Sequence, residues 1–310
     1  MKIGFVGLGS LGNSLASHLV KAGYDVYVYD LDQSKAEDLL QLGVIWGKTP
    51  AQMGEEVDVF ITCLPTSKAV NTVLTGEQGA FNTLSSGSIW IEMTTNSNKE
   101  IARLNEIAMQ KGIDVLDAPL TGGAHRAPTG NMRIFVGGEE KRFHYLKPVF
   151  EAMGSKVIYV GKLGDATKMK LITNMLVFIN LISLGEGLML AKRSDIDLKI
   201  AYDAIRISSG HSFVHEIESQ VILNGSYTAL FDINLTLKDI EYTLELAKES
   251  GVPAKVTEFC EQTFKKAKEH YGGSSEYAMD VKLLEDELGE SLRADGFPER
   301  IIDTERIVTG

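Results

Sequence analysis

A glycine-rich turn near the amino terminus has the composition of a phosphate-binding loop. The string Gly7-Leu8-Gly9-Ser10-Leu11-Gly12 follows an apolar run at residues 3–6 and precedes an amphipathic segment at residues 11–21. In this context the glycines allow a tight turn, approach of a pyrophosphate and close packing of helix on strand, while the helix N-terminus attracts negative charge. The string therefore predicts a dinucleotide site that includes Gly7, Gly9, Ser10, Leu11 and Gly12. The alternative is an ordinary turn between a strand and a helix.

Asp30 indicates which dinucleotide the loop would bind. It ends the second predicted strand, about 20 residues after the glycine loop, where a carboxylate accepts hydrogen bonds from ribose hydroxyls and repels a 2′-phosphate. No arginine occupies residues 31–34, although Lys35 can still approach this position. The pattern favours NAD over NADP, and the alternative is a turn or helix-cap role for Asp30.

Two later segments carry polar groups suited to a small acid. Residues 117–130, which begin Asp-Ala-Pro-Leu-Thr-Gly-Gly, leave a predicted strand as a loop of small residues. Its backbone N–H groups can hold a carboxylate, and a simple turn is the alternative. Lys170 and Asn174 lie four positions apart in a helical segment, so they share one helix face.

The elements that must position these residues follow an alternating pattern. Short β-branched runs alternate with helical segments through about residue 162, and they lie at residues 3–6, 26–29, 57–62, 88–92, 115–118, 134–136 and 157–160. This rhythm predicts an α/β fold with an N-terminal Rossmann-type, doubly wound sheet. Ligands of such sheets bind beyond the carboxyl ends of the strands.

Strand signals end after Gly161. Residues 169–192 predict one long helix, and further helical segments lie at 198–207, 237–250, 255–270 and 277–287. We therefore expect a C-terminal all-α domain begun by a long interdomain helix, with domains at residues 1–162 and 163–310. His211 and His215 are expected in a loop, and the tail from Arg293 is expected to be loose. No spacing of histidines, cysteines and carboxylates predicts a metal site.

Composition narrows the classes of partner. The 310 residues include 31 Lys and Arg against 42 Asp and Glu, for a formal charge of −11, and 44% are apolar. This acidic balance provides no electrostatic surface for nucleic acid, and the apolar fraction excludes a disordered chain. The two cysteines are far apart in the sequence and no export signal is found, so we expect a cytoplasmic protein. Polar residues interrupt the apolar stretch at residues 171–190, so we expect no membrane partner.

The motifs together resemble those of the β-hydroxyacid dehydrogenase family, which includes 3-hydroxyisobutyrate dehydrogenase and tartronate semialdehyde reductase. That family carries G-x-G-x-x-G, D-A-P-[VL]-[ST]-G-G, G-x-x-G-x-G-x-x-x-K-x-x-x-N and a K-D pair. Here these patterns fall at residues 7–12, 117–123, 161–174 and 238–239, and the resemblance covers nearly the whole chain. Ala166 stands in place of one glycine of the third pattern, and Thr121 stands where serine is common.

The resemblance implies a role for each matched residue. Lys170 would be the catalytic lysine and Asn174 would position the substrate. Thr121, Gly122 and Gly123 would hold the substrate carboxylate. The residues implied to contact or line the cofactor are Thr95, Leu64, Pro65 and Lys238. Behind the glycine pair, His125 and Arg126 depart from the family, and Arg126 either pairs with a second acidic group of the substrate or lies in an exposed loop.

The implied activity is hydride transfer between NAD and a small 3-hydroxy acid or its semialdehyde, with Lys170 as general acid and base. A free lysine near pKa 10.4 is a poor base at neutral pH, so we expect a semi-buried environment to lower the pKa of Lys170 toward about 7 to 8. An imine reductase-like enzyme, which usually lacks this lysine, and a non-catalytic dinucleotide-binding module are the alternatives. The long apolar helix also predicts a homodimer or homotetramer.

Overall fold

The computed structural model describes residues 1–303. Their contacts form two compact units, of which the first is Met1–Lys170 and the second begins at Leu171. The domain boundary expected after residue 162 remains a prediction, because this division falls inside a single continuous helix, Asp165–Arg193.

A nine-stranded sheet forms the frame of the first unit within the described residues. Its strands are β1 (Lys2–Val6), β2 (Asp25–Tyr29), β3 (Ile45–Trp46), β4 (Val59–Thr62), β5 (Ile89–Glu92), β6 (Asp114–Asp117), β7 (Leu120–Thr121), β8 (Arg133–Gly138) and β9 (Lys156–Gly161). The order is β3-β2-β1-β4-β5-β6-β8-β7, with β9 beside β8. The strands from β1 to β6 are parallel, and β8 runs antiparallel to β6 and β7. The order reverses beside β1, which confirms the doubly wound Rossmann-type sheet.

Helices cover both faces of this sheet. They are α1 (Gly12–Lys21), α2 (Glu37–Gln41), α3 (Pro50–Glu56), α4 (Ser67–Thr75), α5 (Asn98–Gln110) and α6 (Glu140–Met153). Strand β1 shows why two cores form, because successive side chains point to opposite faces. Ile3 and Phe5 pack in one core with Leu15 of α1, whereas Val6 packs in the other with Phe60 and Trp90.

The second unit is helical, as predicted. After α7 (Asp165–Arg193), which continues from the first unit, its helices are α8 (Leu198–Arg206), α9 (Phe213–Asn224), α10 (Ile233–Glu249), α11 (Lys255–Tyr271) and α12 (Met279–Leu288). The expected loop around His215 is wrong, because Ser212 caps α9 by accepting from the His215 N–H. The buried His215 ring lies 2.9 Å from the Tyr202 carbonyl oxygen and 3.0 Å from the Ser219 hydroxyl.

The segment after α12 is fixed to the second unit, so the prediction of a loose tail from Arg293 is wrong for residues 293–299. Arg293 lies 3.1 Å from the buried carboxylate of Glu285. The Ala294 N–H donates to the Leu223 carbonyl oxygen at 3.0 Å, and the Ser226 hydroxyl donates to the Glu299 carbonyl oxygen at 2.7 Å. The last two contacts join residues more than 70 positions apart, which explains why local composition did not indicate them.

Helix α7 has the length and composition of a membrane span. An 18-residue window has a mean hydropathy of 1.6, and 39% of that window is buried. A long helix in a protein core has the same properties, so composition alone does not assign α7 to a membrane. The expected absence of a membrane partner stays a prediction.

Candidate functional site

The predicted glycine loop joins β1 to α1 at the carboxyl end of β1. Gly7 has a φ of +99°, and a Cβ at Gly12 would lie 1.8 Å from the carbonyl oxygen of Gly7. The turn itself therefore requires both glycines. A Cβ at Gly9 would meet no heavy atom within 4 Å, so the loop leaves open space at this position.

The start of α1 has backbone donors suited to an anion. Ser10 is exposed, and Leu11 occupies the N-cap position. Because a leucine side chain cannot accept a hydrogen bond, it does not cap the N–H groups of the first turn. Together with the open space at Gly9, this helix end fits a pyrophosphate.

The carboxylate of Asp30 is hydrogen-bonded directly to the glycine loop. Its Oδ2 accepts from the Leu8 N–H at 2.7 Å, and its Oδ1 accepts from the Asp32 N–H at 3.0 Å and from Lys35 Nζ at 3.2 Å. Burial alone would raise the pKa of Asp30, but these hydrogen bonds and the Lys35 charge hold it below its ordinary value. The sequence left open whether Lys35 approaches this position, and the structure shows that it contacts Asp30.

The predicted cofactor-lining residues follow two adjacent parallel strands. Leu64 and the exposed Pro65 come after β4, and Thr95 comes after β5, so all three lie at the carboxyl edge of the sheet. The hydroxyl of Thr94 accepts from the Leu64 N–H at 2.9 Å and joins the two loops. Sequence reasoning did not identify Thr94, although it precedes the predicted Thr95.

The predicted carboxylate loop has two glycines with left-handed backbone. Gly122 has a φ of +113° and Gly123 has a φ of +91°, directly after Thr121 in β7. A Cβ at Gly122 would lie 3.0 Å from Arg126 Cδ and 3.3 Å from Arg133 Nη1. Arg126 is only 2% exposed, so the alternative that placed it in an exposed loop is wrong. Two guanidinium side chains therefore approach this loop.

Helix α7 carries the predicted catalytic pair one turn apart. Lys170 is partly buried, and Asn174 is buried on the following turn. Ala166, where the resembling family has glycine, is also buried. Lys168 lies near Lys170 in sequence, but its Nζ lies 3.0 Å from the carboxylate of Asp165 on the same helix.

In the second unit, Asn174 belongs to a polar cluster that sequence reasoning did not assemble. Its Nδ2 donates to Oδ2 of Asp239 on α10 at 2.7 Å. Lys238 Nζ lies 3.1 Å from Oδ1 of Asp239 and 5.6 Å from the centroid of the Tyr242 ring. The adjacent Lys-Asp pair was visible in the sequence, but the sequence did not indicate that the carboxylate of this pair contacts Asn174.

Asp117 is a second carboxylate that sequence reasoning did not assign. It ends β6 with no exposed surface, and its oxygens accept from the N–H groups of Gly164 and Thr167 at 2.9 and 2.7 Å. Burial raises the pKa of Asp117, although these hydrogen bonds act in the opposite direction. The sequence feature that could have indicated Asp117 is its place as the first residue of the Asp-Ala-Pro motif.

Two family models match this chain. Residues 2–161, more than half of the chain, match the NAD binding domain of 6-phosphogluconate dehydrogenase. Residues 164–284 match the NAD-binding domain of NADP-dependent 3-hydroxyisobutyrate dehydrogenase. The chain belongs to the β-hydroxyacid dehydrogenase family.

Known members of the β-hydroxyacid dehydrogenase family cover nearly the whole chain. A 2-(hydroxymethyl)glutarate dehydrogenase from Eubacterium barkeri is 30% identical over 94% of this chain and 97% of its own length. A 2-hydroxy-3-oxopropionate reductase from Escherichia coli is 30% identical over 92% and 97%. The crystal structure of a 3-hydroxyisobutyrate dehydrogenase from Salmonella typhimurium has a TM-score of 0.83 at 26% identity and covers 91% of this chain and 99% of that chain.

Membership of the β-hydroxyacid dehydrogenase family makes this chain an oxidoreductase that uses a nicotinamide dinucleotide. The residues present fit such a cofactor, because the glycine loop leaves open space at Gly9 and the Asp30 carboxylate accepts a hydrogen bond from the same loop. Among residues 1–303, no group of three or more histidines, cysteines or carboxylates is arranged to hold a metal ion.

Proposed function

We propose that this β-hydroxyacid dehydrogenase interconverts a small 3-hydroxy acid and its semialdehyde with NAD. The observation that carries the proposal is the placement of a partly buried Lys170 and a buried Asn174 on successive turns of α7. Lysine and carboxamide side chains at this spacing present a proton carrier and a hydrogen-bonding group to one substrate oxygen. Oxidation of an alcohol requires a group that removes the hydroxyl proton, and Lys170 can supply it.

The proposed roles follow from the chemistry of each group. The nicotinamide cofactor supplies the two-electron redox chemistry when it is bound. Lys170 takes the proton from the substrate hydroxyl during oxidation and returns it during reduction, while Asn174 orients the same hydroxyl. The Thr121 hydroxyl and the N–H groups of Gly122 and Gly123 hold the substrate carboxylate, since successive backbone N–H groups in a turn can form an anion-binding concavity.

The remaining predicted contacts concern the cofactor. We assign the pyrophosphate to residues 7–12 and the adenosine ribose to Asp30, with Leu64, Pro65, Thr95 and Lys238 on the nicotinamide side. The choice of NAD over NADP is supported by the anionic Asp30, whose pKa is lowered. A 2′-phosphate beside that carboxylate would face electrostatic repulsion, which Lys35 only partly offsets.

We further propose that the enzyme is a cytoplasmic homodimer or homotetramer. Exposed apolar side chains of Ile172, Leu176 and Leu190 on α7 support association, because the burial of such side chains between subunits is favourable. The two free cysteines and the acidic composition support a reducing compartment without nucleic-acid partners. Light scattering coupled to size exclusion would measure the oligomeric state.

Comparison of wild type, K170A and K168A tests the proposed function. Each is mixed with NAD or NADP and a panel of 3-hydroxy acids, and absorbance of the reduced cofactor is followed. We expect turnover by wild type and K168A, and a loss of about 100-fold or more in kcat for K170A, the scale of general acid–base catalysis. Fluorescence titration should show unchanged NAD binding by K170A.

Three results would contradict parts of this proposal. Equal rates for K170A and wild type would remove Lys170 from the catalytic role. NAD binding without turnover of any hydroxy acid or semialdehyde would favour a non-catalytic module, whereas turnover of cyclic imines alone would favour an imine reductase. A kcat for oxidation that does not change between about pH 6 and 9 would contradict the expected titration of Lys170.

A further inference from the structure

Asp117 joins the two segments to which the proposed function assigns the substrate. Its backbone ends β6, four residues before Thr121 in the carboxylate loop. Its side chain accepts hydrogen bonds from the residue before α7 and from the first turn of that helix, three residues before Lys170. One residue is therefore covalently linked to the loop and hydrogen-bonded to the helix.

The contact is specific in geometry and charge. Each carboxylate oxygen has its own donor, the Gly164 N–H at 2.9 Å for Oδ1 and the Thr167 N–H at 2.7 Å for Oδ2. The first N–H groups of a helix have no intrahelical partner, and an anion beside them is also favoured by the helix dipole. Because Asp117 is fully buried, no solvent can substitute for these acceptors if the carboxylate is removed.

Gly137 provides the space for this contact. It lies directly opposite Asp117 in the antiparallel pairing of β6 with β8. A Cβ at Gly137 would lie 2.5 Å from Asp117 Oδ1, 2.8 Å from the Lys162 carbonyl oxygen and 3.1 Å from the Ala166 nitrogen. The carboxylate, the strand and the backbone at the start of α7 thus meet where any side chain would separate them.

We infer that Asp117 is a positioning residue that sets the distance between the Thr121–Gly123 loop and Lys170. This inference rests on the proposed function. With the loop holding the carboxylate and Lys170 acting on the hydroxyl, the same contact determines how many carbons separate the two groups of an accepted substrate. Asp117 would therefore select for 3-hydroxy acids against 2-hydroxy and 4-hydroxy acids without touching the substrate.

The test compares wild type, D117N, G137A and D114N on hydroxy acids of all three lengths. D117N keeps the size of the side chain, but its amide nitrogen faces a backbone N–H that needs an acceptor. G137A keeps the carboxylate and displaces it. D114N is the matched control, because Asp114 begins the same strand and its side chain is 37% exposed.

For D117N and G137A we expect kcat with the 3-hydroxy acid to fall about 100-fold, the effect of a displacement near 1 Å at a reacting centre. The ratio of kcat/KM between 3-hydroxy and 4-hydroxy acids should fall by about 10-fold or more, because the spacing is no longer fixed. NAD binding should match that of wild type, and D114N should match wild type in every measurement. Hydrogen exchange at residues 164–168 should accelerate in D117N.

The outcomes separate this inference from the proposed function. If wild type is active and K170A is not, but D117N and G137A retain the wild-type rate and length preference, the positioning role is overturned alone. Equal loss of NAD binding in both variants would also overturn it, because the defect would be general. If wild type oxidises none of the acids, the proposed function fails and this role fails with it. If D117N does not fold, G137A decides the question through two measurements. These are its kcat relative to wild type and its ratio of kcat/KM between 3-hydroxy and 4-hydroxy acids.

Discussion

The side-chain amide of Asn174 donates to the carboxylate of Asp239 at 2.7 Å, and the two side chains are 7% and 1% exposed. The other carboxylate oxygen lies 3.1 Å from Lys238 Nζ. An amide whose nitrogen is directed at a carboxylate has its orientation fixed, and its NH2 group keeps a second hydrogen to donate. In the proposed function, this second N–H of Asn174 would donate to the oxygen of the substrate hydroxyl, whose own hydrogen goes to Lys170.

Exchange of donor and acceptor tests this relationship. N174D places two carboxylates side by side in a buried environment, and we expect kcat to fall by about 100-fold, since close buried like charges are strongly unfavourable. The double variant N174D/D239N restores one amide and one carboxylate and should recover at least about 10-fold of the loss, as expected for directly coupled residues. A double variant with no more activity than N174D would contradict the coupling.

The glycine loop offers a matched pair of substitutions. G12A would force a Cβ to within 1.8 Å of the Gly7 carbonyl oxygen, so we expect loss of both stability and cofactor binding. G9A meets no neighbour and should keep the wild-type thermal midpoint, yet it should weaken NAD binding by about 10-fold or more if the pyrophosphate lies there. Thermal unfolding and fluorescence titration measure the two effects. Unchanged NAD affinity in G9A would place the pyrophosphate elsewhere.

Asp30 and Lys35 together test the preference for NAD. D30S removes the carboxylate and leaves the Lys35 ammonium nearby, so the ratio of kcat/KM for NAD over NADP should fall by about 10-fold or more. K35A retains the carboxylate, removes its neighbouring cation and should shift the ratio further toward NAD. Steady-state kinetics with both cofactors provides the ratios. A D30S ratio equal to that of wild type would exclude ribose recognition by Asp30.

Buried carboxyl groups of the second unit predict that stability depends on pH. Burial raises the pKa of Glu218, which accepts from the Tyr277 hydroxyl, to about 7. Burial also raises the pKa of Asp280 to about 7, with Glu287 and Glu186 adding repulsion. Between their ordinary pKa values near 4 and the raised value near 7, these two groups bind more protons in the folded state than in the unfolded chain. The stability that they contribute is therefore present at low pH and is lost as pH rises through 7.

We expect the free energy of unfolding to fall by up to about 1.4 kcal/mol per pH unit for each group between about pH 5 and 7. E218Q and D280N should each flatten that slope and stabilise the protein at pH 8, whereas E216Q, at a partly exposed position of the same helix, should not. Urea unfolding at several pH values measures the slope. A wild-type curve that rises through this range would refute the prediction.

The sequence predicted those features whose signals are local. The first strand, glycine loop and first helix follow from contiguous residues, and the long α7 follows from its apolar run. Helix α9 was missed because Ser208, Ser209 and Gly210 precede it and resemble a loop. Strands β3 and β7 have two residues each, too few for any periodicity to show.

The parts of the site that could not be predicted are long-range contacts. Asp117 meets Thr167 fifty positions later, and Asn174 meets Asp239 sixty-five positions later. Composition identifies each carboxylate, but only the packing of helix against strand or helix determines its partner. The burial of Arg126 has the same origin, because a loop of small polar residues does not indicate which side chains it covers.

The hydrogen bond from the Leu8 N–H to Asp30 makes the contact between the glycine loop and the proposed ribose acceptor part of the fold itself. The conformational entropy of these residues is then lost during folding rather than during cofactor binding. Affinity for the dinucleotide is therefore linked to the local opening equilibrium of the turn after β1. Calorimetry would record a loosened loop as a larger entropic penalty of association, even where the global fold is unchanged.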